Sequence, residues 1–186
     1  MILASRSPRR RELLSLFAED FRIIPAEGEE IIPEGTSPKD AVLILSRQKA
    51  EEISARFTDD VIISADTVVS IDGEILGKPR SPEEAVQMLT KLSGREHYVY
   101  TGVCVIFPDG STVNFAEETT VEFHPLTSKE ILDYVSTGEP MDKAGAYGIQ
   151  GKGALLVKRI DGDYYNVMGL PVGRLYREIR QHGERL

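Results

Sequence analysis

The sequence has no tryptophan and a single cysteine, Cys104, among its 186 residues. One cysteine cannot close an intramolecular disulfide, and the C-x-x-C spacing of many zinc sites is absent. The three histidines, His97, His124 and His182, are too dispersed to indicate a metal cluster. Because cysteine is so little used, we expect a protein of the reducing cytoplasm.

Long apolar runs are also missing. Only four apolar residues precede the first arginine, which is too few for the core of a signal peptide, and no later run approaches a membrane span. We therefore expect no membrane association.

Positive charge is scarce as well: the sequence has 22 Lys and Arg residues against 30 Asp and Glu residues, for a net charge of −8. This balance argues against stable binding of nucleic acid, which needs a positive surface to neutralise phosphates.

The hydrophobic content of 41% is enough for one sizeable core, and we predict one domain over residues 1–186. Capping residues and helically spaced apolar residues predict four helices, and a fifth follows Pro171. The predicted caps are Ser7 before Pro8, Ser37 with Asp40, and Ser81 before Pro82 and Glu84; a further short helix is predicted to begin near Thr127 and to stop at Gly138. The first helix is predicted to include Phe17.

Strands are predicted between these helices. Residues 1–5 and "DVIISADTVVSI" are strand-like, and the "DG" at 72–73 turns the chain into a hairpin. Two strands flank Asp109 and Gly110, and "ALLVKRI" is followed by a turn at 161–163 and one more strand. Helices interleaved with strands and hairpins indicate an α/β protein with a mixed sheet.

The stretch "SRSPRRREL" places Arg9, Arg10 and Arg11 in the first turn of a helix, where cations are unfavourable. One interpretation is an anion site, in which hydroxyls, backbone N–H groups and guanidinium groups surround a phosphate chain. In the other, Ser7 only caps the helix and the arginines point into water. On the first interpretation Arg10 meets phosphate and Arg11 does not, and removal of Arg10 does not weaken the unliganded protein.

Asp66 lies inside an apolar strand, where an isolated carboxylate would be costly. It needs a metal ion, a lysine or a water to deprotonate, unless the strand bends there and exposes it. Thr67 beside it faces the opposite side of the strand. "GEE" at 28–30, Lys49 and Lys78 are ordinary surface charges by composition alone.

The glycine-rich "AGAYGIQGKG" is either a plain turn or a loop that lays Gln150 against a base or sugar. It is not a Walker loop, because GxxxxGK[ST] would need glycine at 146 and Ser or Thr at 153, where the chain has Ala146 and Gly153.

Taken together, "LASRSPRRREL", "SADTVV", "GKPRS", "LSGREHYVYTGV" and "DKAGAYGIQG" resemble the Maf family from end to end. Maf proteins are nucleoside triphosphate pyrophosphatases related in fold to inosine triphosphatases. The resemblance implies an elongated mixed sheet with helices in two lobes and a nucleotide cleft between them. It also implies a nucleoside triphosphate as the small-molecule partner, and leaves open whether the chain forms a homodimer.

By this resemblance Asp66 is the catalytic carboxylate and Glu30 a second acidic member, and together they hold a divalent cation, Mg²⁺ or Mn²⁺. Ser5, Arg10, Lys49 and Lys78 line the triphosphate site. Arg9, Thr67 and Gln150 match the subgroup that hydrolyses dTTP and UTP, whereas the subgroup acting on 7-methyl-GTP has Trp, Gln and Glu there.

The implied reaction cleaves between the α and β phosphates and gives a monophosphate and pyrophosphate. Two alternatives remain open at this point. One is a non-catalytic regulator that binds nucleotide or a partner protein, since the family name derives from an effect on septation. The other is an enzyme acting on phosphosugars.

Overall fold

The computed structural model of the protein describes residues 1–183, which fold into one mixed β-sheet covered by helices. Its seven strands are β1 (Ile2–Leu3), β2 (Arg22–Ile23), β3 (Ile62–Ile71), β4 (Glu74–Leu76), β5 (Glu96–Ile106), β6 (Thr112–Phe123) and β7 (Val157–Asp161). The α-helices of this part are α1 (Pro8–Leu14), α2 (Pro38–Ser54), α3 (Pro82–Leu92), α4 (Ser128–Val135), α5 (Tyr164–Met168) and α6 (Val172–Gln181). Three short 3-10 helices lie between α4 and β7, at Glu139–Asp142, Ala144–Ala146 and Gly151–Leu155.

The sheet has the strand order β2-β1-β3-β5-β6-β7, with β4 paired to β3. β1 is parallel to both of its neighbours, and every other pairing is antiparallel. The predicted α/β class with a mixed sheet is therefore confirmed. β2 was not predicted, because its two residues are too few to show an alternating pattern.

One edge of β3 is interrupted. β5 pairs with β3 from Ile62 to Ser70, so β1 and β4 share the opposite edge. β1 covers Ile62 and Ile63, and β4 covers Val69–Ile71. No strand within residues 1–183 pairs with this edge from 64 to 68, and Asp66 and Thr67 lie in the resulting gap.

The three predicted caps are confirmed, and the structure adds Thr127 as the cap of the helix predicted to begin near it. The hydroxyls of Ser7, Ser37, Ser81 and Thr127 each accept a hydrogen bond from the backbone N–H three residues later. α1 is shorter than predicted, because it ends at Leu14 and leaves Phe17 in the turn that follows.

The strand predicted after the turn at 161–163 is wrong, since that segment forms α5. The Asp163 carboxylate accepts a hydrogen bond from the Tyr165 N–H at 2.8 Å and so begins the helix. The buried Asn166 amide donates to the Val99 carbonyl at 3.0 Å and to Thr119 Oγ1 at 2.9 Å, which fixes α5 against β5 and β6. These contacts with distant strands override the local strand preference of the two tyrosines.

α2 packs against β5 at Gly102. A Cβ atom at Gly102 would lie 2.2 Å from the Val42 carbonyl oxygen, so only glycine permits this approach. Cys104, two residues along, is fully buried, and burial raises the pKa of its thiol to about 12. Among residues 1–183, none of the helices combines the length and apolar character needed to cross a membrane.

Candidate active site

A cleft of about 920 Å³ opens at the gap in the β3 edge. The β1–α1 turn, α2, β3 and the glycine-rich segment after residue 138 contribute to its walls. All the predicted site residues line it: Ser5, Arg9, Arg10, Glu30, Lys49, Asp66, Thr67, Lys78 and Gln150. Charges that looked scattered along the sequence therefore surround one space.

Asp66 and Glu30 are joined by Lys49. Lys49 Nζ lies 2.5 Å from Asp66 Oδ1 and 2.8 Å from Glu30 Oε1. Lys49 comes from α2, which packs on the face of β3 toward which Asp66 points. Asp66 is thus a paired cleft carboxylate, and the alternative of an exposed strand bend is wrong.

Thr67 faces the other side of β3, as predicted. Its Oγ1 accepts a hydrogen bond from Arg10 Nη2 at 3.0 Å and lies 2.9 Å from Thr101 Oγ1. Thr101 in turn donates to the Asn166 carbonyl at 2.9 Å. Thr67 therefore lines the cleft while its hydroxyl belongs to a chain of hydrogen bonds that runs to α5.

Arg10 bridges the gap in the sheet. The Val61 and Ile63 carbonyls accept hydrogen bonds from the N–H groups of Ile2 in β1 and of Ala4 just after it. The Ala65 carbonyl, next in this series, accepts from Arg10 Nη1 at 2.8 Å. The guanidinium thus continues the β1 ladder where the strand has ended. Arg10 Nε also donates to the Gly169 carbonyl at 2.8 Å, and Nη1 lies 3.4 Å from Ser5 Oγ.

These contacts contradict the expectation that Arg10 adds nothing to the stability of the unliganded protein. That expectation considered only the dipole of α1. Four of the five guanidinium N–H groups have protein acceptors, so one remains for a ligand. Burial, the largest influence, lowers the pKa of Arg10, while the nearby Asp66 charge opposes the shift.

Arg9 and Arg11 diverge from Arg10, as the helical rotation requires. Arg9 lines the cleft and lies 3.5 Å from Asp142 Oδ2, across from α1. Arg11 is exposed and is not part of the cleft wall. The interpretation in which all three arginines point into water is therefore wrong.

Lys78 and Gln150 come from two loops that are tied together. The Gly145 N–H donates to the Gly77 carbonyl at 3.0 Å, which joins the glycine-rich segment to the loop that carries Lys78. Gly145 has φ +66°, and a Cβ there would lie 2.8 Å from the Val69 side chain. Among residues 1–183, no carboxylate lies within ion-pair distance of Lys78, so its charge is open to the cleft.

Sequence reasoning missed three charged residues of the cleft wall, Glu139, Asp142 and Lys143. Lys143 Nζ donates to Asp142 Oδ1 at 2.7 Å and to the Glu139 carbonyl at 2.6 Å. Burial favours a higher pKa for Asp142, but its bonds with Lys143 and Arg9 hold that pKa below the ordinary value. The signal was their position at the glycine-rich loop: Asp142 and Lys143 begin "DKAGAYGIQG", and Glu139 lies three residues before it.

The histidines are structural or exposed, as expected. His97 is buried with Nε2 2.7 Å from Tyr147 Oη, whereas His124 and His182 are exposed. In the part of the chain that the structure describes, no cluster of three or more His, Cys, Asp or Glu residues is arranged to hold a metal by itself. Asp66 and Glu30 are two cleft carboxylates that share Lys49.

Residues 1–182 match a family model described as Maf-like protein. The chain is 56% identical over 182 residues to a dTTP/UTP pyrophosphatase of Carboxydothermus hydrogenoformans, with 97% of each chain covered. It is 51% identical over 183 residues to a dTTP/UTP pyrophosphatase of a Geobacillus species, with 98% of each covered.

The fold resembles that of the Staphylococcus aureus Ham1 protein, with a TM-score of 0.53, 15% identity and 98% of each chain covered. A HAM1 protein from Coxiella burnetii gives the same TM-score at 15% identity, covering 97% of this chain and 98% of that one. These similarities agree with the predicted fold relation. The match along nearly the whole sequence shows that the chain belongs to the Maf family.

Proposed function

We propose that this chain is a nucleoside triphosphate pyrophosphatase that hydrolyses dTTP and UTP to the monophosphate and pyrophosphate. The observation that carries the proposal is the ion pair of Asp66 with Lys49 in a cleft that Arg9, Arg10 and Lys78 also line. Support for the substrates comes from relatives at 50–56% identity, which are dTTP/UTP pyrophosphatases.

In the proposed reaction Asp66 accepts a proton from the attacking water. The water oxygen bonds to the α phosphorus while the bridging bond to the β phosphate breaks, and pyrophosphate leaves. The Lys49 ammonium, 2.5 Å away, holds the carboxylate in one orientation so that its free oxygen can meet the water.

Arg9 and Lys78 are proposed to bind the phosphates, together with Ser5 and the remaining N–H of Arg10, which line the same cleft. Their positive charges would stabilise the negative charge that spreads onto the leaving pyrophosphate. Arg9, Thr67 and Gln150 are proposed to set the base preference. For Thr67 this role is indirect, because its hydroxyl already contacts Arg10 and Thr101.

The donor set fits a divalent cation. Mg²⁺ is usually held by one or two carboxylates together with substrate phosphates and waters, and Asp66 and Glu30 provide two carboxylates side by side. These two residues would hold Mg²⁺ or Mn²⁺, which when bound neutralises phosphate charge. Glu30 is more than half exposed, so its side chain is free to turn toward such an ion.

The test is pyrophosphate release by the purified protein from a panel of nucleoside triphosphates with Mg²⁺ or Mn²⁺. We expect dTTP and UTP to be the best substrates. Nucleotide binding without turnover would favour the non-catalytic regulator, and faster turnover of UDP-sugars or sugar phosphates would favour the phosphosugar enzyme. A cytoplasmic location, the absence of nucleic-acid binding, a homodimer and a link to septation stay predictions.

A further inference from the structure

The segment that carries Gln150 is held on both sides by two side chains, Tyr134 and Glu139, which we call the loop clamp. Tyr134 Oη donates to Glu139 Oε1 at 3.0 Å and accepts from the Gly148 N–H at 3.2 Å. On the far side of Gln150, the Lys152 N–H donates to Glu139 Oε2 and the Gly153 N–H to Oε1, both at 3.0 Å. The clamp therefore fixes backbone groups before and after Gln150.

The glycine-rich loop packs tightly against the loop clamp at Gly151 and Gly153. A Cβ atom at Gly151, where φ is +66°, would lie 2.7 Å from Glu139 Oε2. A Cβ at Gly153 would lie 2.1 Å from the Gly148 carbonyl oxygen and 2.7 Å from Tyr134 Oη. Since side chains at these two positions would displace the loop, the fit of backbone to clamp is specific.

The Glu139 side chain lines the cleft, but both of its carboxylate oxygens accept hydrogen bonds from Tyr134 or from the backbone of the glycine-rich loop. Burial by itself favours a higher pKa for Glu139, but the N–H groups of Gly153 and Lys152 and the Tyr134 hydroxyl keep the net pKa below the ordinary value. Both carboxylate oxygens already accept hydrogen bonds from the protein. Glu139 is thus suited to act on a substrate through the loop and not by direct contact.

We propose that Glu139, supported by Tyr134, is a positioning residue for base selection, because it sets the place of Gln150 in the cleft. This inference rests on the proposed function, in which Gln150 reads the pyrimidine base. Gln150 itself lies on a segment of short 3-10 turns, which cannot fix a side chain as a long helix or a strand does. The hydrogen bonds of the loop clamp therefore hold in place a backbone that its glycines would otherwise leave flexible.

The test is a double-mutant cycle on the full chain with Glu139→Gln and Gln150→Ala. In Glu139→Gln an amide NH₂ faces a backbone N–H donor, and loss of one charge-assisted bond is expected to raise the KM for dTTP about tenfold while kcat stays within about twofold. In the Gln150→Ala background, the same change should raise KM less than about twofold, because the residue it positions is gone.

Two further variants separate positioning from general stability. Tyr134→Phe, which removes only the hydroxyl, should lower the ratio of kcat/KM for UTP to that for CTP, two substrates that differ only at the base edge. Asp133→Asn makes the same carboxyl-to-amide change on α4, where the Asp133 carboxylate pairs with Lys129 and, among residues 1–183, makes no hydrogen bond to the glycine-rich loop. It should leave that ratio unchanged.

An equal rise in KM for Glu139→Gln in both backgrounds would overturn the proposal, as would an unchanged UTP-to-CTP ratio in Tyr134→Phe. If the wild-type chain hydrolyses no nucleoside triphosphate, the result contradicts the proposed function and not the positioning role of Glu139. If the wild type is active but Gln150→Ala keeps the wild-type UTP-to-CTP ratio, Gln150 does not read the base and the clamp proposal fails alone.

Discussion

Lys49 Nζ lies 2.5 Å from Asp66 Oδ1 and 2.8 Å from Glu30 Oε1, so one ammonium group serves two carboxylates of the cleft. The three charges sum to −1 when all are ionised. A free triphosphate would therefore meet repulsion at the point where its α phosphate must be attacked. A divalent cation bound with the substrate would reverse the sign of this interaction.

Asp66→Asn should abolish turnover and preserve the fold, because the amide keeps the shape but cannot accept the proton. Loss of a general base costs about 10²–10⁴-fold in rate. The measurement is pyrophosphate release from dTTP at saturating Mg²⁺, with a thermal melt. Asp72→Asn is the matched control, since Asp72 directly follows β3 in the hairpin turn, at a positive φ that asparagine tolerates. More than about a tenth of the wild-type rate in Asp66→Asn would exclude Asp66 as the base.

Arg10→Ala should destabilise the protein without any ligand. The carbonyls of Ala65 and Gly169 lose their donor, and each unpaired buried acceptor costs about 1–3 kcal/mol. We expect a loss of about 2–5 kcal/mol in the free energy of unfolding, measured by urea denaturation. Arg11→Ala, an exposed neighbour, should change it by less than about 0.5 kcal/mol. Equal stability of the two variants would mean that the guanidinium contacts do not stabilise the fold.

Gln150→Glu should lower kcat/KM for dTTP relative to 7-methyl-GTP, because a carboxylate accepts hydrogen bonds but cannot donate one as the amide does. The loss for dTTP should be about tenfold or more, measured by steady-state kinetics on both substrates. Gln87→Glu on the exposed side of α3 is the control and should leave the ranking unchanged. Thr67 is left intact because its substitution would also disturb Arg10. An unchanged ranking in Gln150→Glu would show that Gln150 does not read the base.

His97 predicts a loss of stability in acid. Burial lowers its pKa from 6.5 to about 4. Between pH 6.5 and pH 4 the unfolded chain therefore binds a proton at His97, whereas the folded chain does not. The stability it contributes is complete above pH 6.5 and is lost as the pH falls toward 4, by about 2 kcal/mol at pH 5. Urea denaturation from pH 7 to pH 5 should show this loss in the wild type and not in His97→Gln. The same pH dependence in both proteins would assign the effect to other groups.

Gly102→Ala should be strongly destabilising although it adds a single methyl group. The new Cβ would overlap the Val42 carbonyl at 2.2 Å and force α2 away from β5. We expect a loss of about 3 kcal/mol or more, read from the melting temperature. Gly110→Ala, in an open turn with positive φ, is the comparison, because it meets no neighbouring atom within 4 Å and costs only backbone strain. A larger loss in Gly110→Ala would contradict the packing argument.

The local features could be predicted because their causes are local. Ser7, Ser37 and Ser81 cap helices through groups three residues away, and Asp72 with Gly73 turns a hairpin by itself. Asp66 was recognisable as a paired carboxylate because its strand is apolar on both sides.

Contacts between distant parts of the chain could not be predicted in this way. The sequence does not show that Glu30, in a loop, and Lys49, on a helix, meet Asp66 on a strand. Arg10 contacts Gly169, 159 residues away, so the direction of its side chain depends on the finished fold. The resemblance to a known family supplied what residue patterns alone did not.

Arg10 replaces a missing strand in the β3 ladder and also lines the cleft. A survey of variants that measures only enzymatic activity would therefore rank Arg10 with Asp66, although activity is lost for different reasons in variants of the two residues. Asp66 variants should accumulate in cells at normal levels and lack turnover, whereas Arg10 variants should be scarce because proteases remove unfolded chains. Recording protein abundance beside activity would separate the residue that carries out the chemistry from the one that maintains the sheet around it.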